Sequence, residues 1–100
     1  MYYIEYTRLV VDTKNVDEKN QSITVVEVPD TIKSLKEEDT NLTEILQDIH
    51  KYLEDHYAYV SVYKNDFYVL TYSNRSLMKS EMSKKYGLEI KFTGAQTDIH

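Results

Sequence analysis

Between residues 2 and 11 the chain reads YYIEYTRLVV, rich in the aromatic and β-branched residues that suit a pleated strand. Tyr2, Ile4, Tyr6 and Val10 fall on one face, interrupted by Arg8, and Tyr3, Leu9 and Val11 on the other. The polar stretch 12–21 reads as a turn region. Residues 22–28, SITVVEV, read as a second strand, which Pro29 should end because it lacks a donor N–H. A long hairpin is expected. Residues 30–39 leave two alternatives open, a loop and a short helix capped by Asp30 or Thr31 and carrying Ile32 and Leu35.

The clearest periodicity follows. Leu42, Ile45, Leu46, Ile49 and Leu53 recur at helical spacing, and Asn41 with Glu44 three residues on forms a capping-box-like start. A helix over 42–56 is expected, with Glu44, Gln47, Asp48, Lys51, Glu54 and Asp55 turned away from its apolar stripe. Alternation then returns in 57–63 and 67–73, a hairpin with Lys64-Asn65-Asp66 as its turn. Pairing Tyr63 with Phe67, Val62 with Tyr68, Val60 with Leu70 and Ala58 with Tyr72 collects the aliphatic residues on one face. It leaves Tyr57, Tyr59, Tyr63 and Phe67 on the other. A second helix, capped by Asn74 or Ser76, runs to about Tyr86 with Leu77, Met78, Met82 and Tyr86 as its apolar side. Gly87 is its left-handed stop, with Leu88 folding back, and Leu88, Ile90 and Phe92 alternate in a last strand ended by Gly94.

The pattern predicts an α+β two-layer sandwich: a mostly antiparallel five-stranded sheet, two main helices on one face, order ββ-α-ββ-α-β. Residues 1–94 read as a single domain and 95–100 as a flexible C-terminal tail.

Composition narrows the chemistry. With 100 residues the chain is sized for one core, and with no cysteine it has neither a disulfide framework nor a thiolate metal site. The N-terminal segment lacks the pattern of a signal peptide, and no apolar run approaches a membrane span, so a cytoplasmic protein is expected. Lys, Ile, Asn and Tyr total 32 residues against 7 for Gly, Ala, Pro and Arg, which points to an AT-rich genome such as a low-GC bacterium or its phage.

No cofactor, metal or catalytic site is expected. His50 and Glu54 could share a helix face, but two ligands do not make a site. Gly87 and Gly94 are the only glycines, and both read as element ends, so there is no phosphate cradle. No serine has a histidine at an interpretable spacing, and Glu37-Glu38-Asp39 is a local acidic run rather than a carboxylate pair across a cleft.

Two features remain. The net charge of −5 is uneven: residues 1–50 carry 5 basic and 11 acidic side chains, residues 51–100 carry 7 and 6. Glu37, Glu38, Asp39, Glu44, Asp48, Glu54 and Asp55 form a candidate acidic face for a basic protein partner, set against the plainer reading of a solvated helix. The second feature is ten tyrosines with no tryptophan. Tyr57, Tyr59, Tyr63 and Phe67 form a candidate aromatic face for a partner or a homodimer, set against the strand preference for aromatics and an AT-rich codon supply. The expected function is a small acidic, non-enzymatic protein-binding module. Its sharper form is a phage or mobile-element inhibitor, of anti-defence or immunity type, blocking a basic nucleic-acid-handling site. The alternative is a nucleic-acid-binding or regulatory protein using Arg75, Lys79, Lys84, Lys85 and Lys91 on and near the second helix.

Overall fold

Strand β1 (Tyr2–Asp17) is central in a computed structural model that describes residues 1–93. It pairs antiparallel with β2 (Ser22–Leu35) on one side and with β3 (Ala58–Lys64) on the other. Strand β4 (Phe67–Ser73) pairs antiparallel with β3, and β5 (Glu89–Phe92) lies parallel to the start of β2. The sheet order is β4-β3-β1-β2-β5. Helix α1 (Leu42–Asp55) joins β2 to β3, and α2 (Arg75–Tyr86) joins β4 to β5. The class, the element order and the mostly antiparallel sheet match the sequence reading. Gly94 and the expected tail at 95–100 lie outside the described residues.

The first hairpin is longer than the pattern implied. β1 continues through the polar segment to Asp17, with a register shift between Asp12 and Val16. The turn closes beyond it, where Asp17 accepts hydrogen bonds from the Asn20 backbone and side-chain amides at 3.1 and 2.8 Å. Thr13 to Gln21 are all exposed, so this arm is held by backbone pairing rather than by a core.

Pro29 does not end β2, and residues 30–35 are strand rather than helix or loop. Tyr6 pairs with Thr31 and Thr7 with Pro29, which leaves Asp30 as the extra residue of a bulge. β5 covers only Ser22–Val25. Past that point, among the described residues, β2 is an edge strand, where a missing N–H breaks no ladder. Only Glu37–Asp39 turns helically, as one 3-10 turn.

Two cores form, on opposite faces of the sheet. Tyr2, Ile4, Tyr6, Val60 and Val62 are buried against Ile45 and Ile49 of α1. Leu9, Ile23, Val25 and Ile90 are buried against Met78 of α2. Even and odd positions of a strand point to opposite faces. Helix α1 therefore covers one half of one face and α2 the other half of the reverse face. The expected placement of both helices on one face is corrected by this alternation. β1 is apolar at 2, 4 and 6 and then at 9 and 11, and it supplies a different face to each helix.

The helix starts differ in kind. Asn41 Oδ1 accepts the Glu44 N–H at 3.0 Å, as the capping pattern predicts, but the Glu44 carboxylate takes the Thr40 hydroxyl at 2.9 Å. At α2, Asn74 makes no side-chain cap. Its Oδ1 accepts the Ala58 N–H at 2.8 Å, and its Nδ2 donates to the carbonyls of Leu53 and His56 at 3.1 and 2.7 Å. One amide thus satisfies the C-terminal end of α1 and the first residue of β3. Gly87 closes α2 with φ 65°, its N–H donating to the Ser83 carbonyl.

Candidate interaction surfaces

The acidic residues separate into groups once folded. Glu37 is drawn to the tip of the second hairpin: its carboxylate meets the N-terminal ammonium at 3.0 Å and Lys64 Nζ at 3.2 Å. These donors and Asn65 hold its carboxyl at about 2. Glu44, Asp48 and Asp55 lie four and seven residues apart and share one stripe of α1, spaced by about 6 and 10 Å along the axis. This stripe runs on the side of β2. Tyr52, on the same flank, donates to Asp30 of β2 at 2.6 Å, and the charge of Asp48 adds to the burial that raises the Tyr6 hydroxyl pKa. Lys51 interrupts the stripe. Glu54 falls on the opposite flank and lines a shallow hollow with His50, Leu53 and Tyr72. Glu38 and Asp39 stay in the 3-10 turn, exposed. Among the described residues the ion pairs within 4.0 Å are both made by Glu37, so the other six carboxylates have no cation partner.

The aromatic face also changes. The turn has two residues, Asn65 and Asp66, both at positive φ (49° and 70°), the geometry that matches strand twist in a tight hairpin. Lys64 therefore pairs with Phe67, Tyr63 with Tyr68, Val62 with Leu70 and Val60 with Tyr72, with a bulge at Val69. The expected pairing of Tyr63 with Phe67 is overturned by this shorter turn, and Phe67 moves to the α1 face, 76% exposed. Tyr57, Tyr59 and Tyr63 do share the reverse face, but not one environment. Tyr57 and Tyr59 pack into the core beneath α2. The Tyr57 hydroxyl donates to Glu81 and that of Tyr59 to Glu27. For Tyr57 the hydrogen bond is the main cause of a raised pKa; for Tyr59 burial comes first and the bond second. Tyr63 meets Tyr68 edge-on at 5.9 Å. With Tyr3 and Ile32 these two line the half of that face that no helix covers; Ile32 is 61% and Tyr68 56% exposed.

Two hollows flank α2. One, of about 350 Å³, is lined by Arg75, Ser76, Lys79, Ile90 and Phe92, with the Arg75 guanidinium 5.3 Å from the Phe92 ring centre. The other, of about 340 Å³, lies between the end of α1 and the start of α2, where Leu77 is exposed rather than part of the apolar side the sequence assigned to it. Glu54, Asp55 and Glu81 line it. Among the described residues no three His, Asp or Glu side chains are grouped to hold a metal, and no helix is long and apolar enough to cross a membrane.

Sequence reasoning missed Asn74 as a bridge and Glu27, Asp30 and Glu81 as acceptors for tyrosine hydroxyls. These contacts span 16 to 32 residues, beyond any local pattern. The two-residue turn did carry a signal, since Asn and Asp are the residues that best tolerate left-handed backbone after glycine. No family model matches the chain, and no curated protein or solved structure shows significant similarity to it.

Proposed function

We propose that this chain is a non-enzymatic protein-binding module whose α1 surface engages a basic site on a partner protein. The observation that carries the reading is the stripe of Glu44, Asp48 and Asp55 along α1, which has no cation partner within 4.0 Å among the described residues, with Glu54 on the other flank and Glu38 and Asp39 in the preceding 3-10 turn adding negative charge nearby. Glu44, Asp48 and Asp55 line up at a spacing comparable to that of charges on a polyanion. A groove that normally holds phosphates would accept such a stripe. The sharper form is an inhibitor, encoded by a phage or mobile element, of a nucleic-acid-handling protein in a bacterial cytoplasm. The excess of Lys, Ile, Asn and Tyr over Gly, Ala, Pro and Arg, the composition an AT-rich genome favours, supports that source.

Affinity capture from bacterial lysate, read by mass spectrometry, tests the reading. The wild-type chain should retain a protein with a basic groove, and the triple change Glu44→Lys, Asp48→Lys, Asp55→Lys should abolish retention. Association should slow steeply as salt rises, with dissociation less affected. The second reading, nucleic-acid binding, is favoured by the Arg75, Lys79 and Phe92 hollow. It predicts retention on heparin, lost on changing Lys79, Lys84 and Lys85 to Glu. That outcome, with the acidic triple variant unimpaired, would displace the first reading.

A further inference from the structure

The two edges of the sheet are defended unequally. Along the part of β2 that no other described strand flanks on its outer side, Pro29 removes a donor, Asp30 makes a bulge, and Glu27 and Lys33 place charges on the strand. These are the devices by which a sheet edge resists pairing with another chain. The opposite edge, β4, reads FYVLTYS. It has no charge, no proline and no glycine, and among the described residues no strand pairs with its outer side. Its one irregularity is the bulge at Val69.

We infer that β4 is the edge through which two copies of this chain pair, antiparallel, to form a continuous ten-stranded sheet. This surface is separate from the acidic stripe of α1, and the inference does not depend on the reading above. Hydrogen-bond alternation indicates which groups are available. The Asn74 N–H donates to Ala58 at 3.3 Å at the end of the β3–β4 ladder. By the antiparallel alternation Tyr72 and Leu70 then direct their backbone groups at β3, and Thr71 and Ser73 direct theirs outward.

Three observations favour a second copy as the occupant. An uncharged strand meets itself without setting like charges opposite each other, which would oppose pairing. The acidic stripe of Glu44, Asp48 and Asp55 lies on the β2 side of α1. The flank nearer β4, where His50 meets Tyr72 edge-on at 5.4 Å, carries Thr43, Gln47 and a single acid, Glu54. Two copies joined at β4 would therefore keep their acidic stripes apart. The area is also adequate. Phe67, Tyr68, Val69 and Tyr72 are 76, 56, 39 and 38% exposed. Aromatic side chains bury 150–250 Å² each, so these three rings together with the smaller Val69 leave roughly 400 Å² of surface to cover per copy. That is about half of the ~800 Å² each partner gives to a standard interface. The paired backbone and the His50 flank of α1 add to it.

Sedimentation equilibrium of the purified chain from low to high micromolar concentration tests the inference. The mass should rise toward that of two chains. Val69→Lys and Phe67→Lys, both at exposed positions, should each weaken self-association by at least about tenfold by putting on this edge the kind of charge that keeps a sheet edge from pairing. Ile32→Lys, on the defended edge, should leave it unchanged. Circular dichroism checks that each variant is folded. Amide exchange of the wild type gives a readout without mutation, because the Thr71 and Ser73 N–H groups should be protected more strongly as concentration rises. A monomer across the whole range would overturn the proposal. So would a dimer that survives both lysine changes, or one abolished by Ile32→Lys instead.

Discussion

Asn74 shows how much one side chain can organise. Its amide group meets a carbonyl inside the last turn of α1, the carbonyl that follows that helix, and the first N–H of β3. Helix α1 has no basic residue in its last turn to satisfy those carbonyls, so the amide takes that role. Truncation to alanine leaves three partly buried backbone groups without partners. At the usual 1–3 kcal/mol for an unsatisfied buried group, discounted for water access, Asn74→Ala should cost about 2–4 kcal/mol. Urea unfolding measures it, and a loss below ~0.5 kcal/mol would mean that water replaces the amide. Asn74→Asp should be worse, because a carboxylate would face two carbonyl oxygens. In the sequence Asn74 was legible only as a helix cap. Its position ahead of α2 was readable from local preference, whereas its partners lie 16 to 21 residues away.

At the scale of elements, three of the ten tyrosines act as struts. The Tyr52 hydroxyl ties α1 to β2 through Asp30. That of Tyr59 ties β3 to β2 through Glu27, and that of Tyr57 ties the start of β3 to α2 through Glu81. In each pair a neutral phenol donates to a carboxylate, so ionisation would both remove the bond and set two anions together. All three hydroxyls have pKa values raised above 10, Tyr52 and Tyr59 first by burial and Tyr57 first by its hydrogen bond. The unfolded chain therefore releases these protons before the folded one does. Stability should hold below about pH 10 and fall as pH rises beyond it. Thermal unfolding between pH 8 and 11.5, with tyrosine ionisation followed by ultraviolet absorbance, checks this. Replacing Tyr52 and Tyr59 by Phe should flatten the decline, and an equally steep decline would rule out these struts as its cause. These three tyrosines thus have a structural role that a strand-by-strand reading could not supply. The helix boundaries, the Asn41 cap and the Gly87 stop were legible because they rest on local rules. The run of β2 past Pro29 was not, because it depends on how short β5 is.

For the whole molecule, the diagonal placement of the helices matters most. Ile49 of α1 and Met78 of α2 are both fully enclosed, in clusters with no buried member in common. Each change to alanine should cost about 2–5 kcal/mol. The double change should cost the sum to within about 0.5 kcal/mol, since the sites share no partner. Chemical denaturation of the four proteins in this cycle measures it, and a coupling above ~1 kcal/mol would show strain passing through the sheet. The diagonal was written in β1, whose apolar positions switch from even to odd between Tyr6 and Leu9. It was hard to read because a strand with both faces part apolar fits several registers.

The parallel contact between β5 and β2 has a consequence in time. During synthesis the hairpin of β1 and β2 emerges first, and α1, β3 and β4 can complete the first core upon it. Leu9, Ile23 and Val25 then wait, uncovered, until Met78 and Ile90 are made more than fifty residues after Val25. Contacts that close so large a loop form late. The nascent chain therefore passes through a stage with one face finished and the other bare, when a chaperone or a neighbouring chain can reach what α2 later covers.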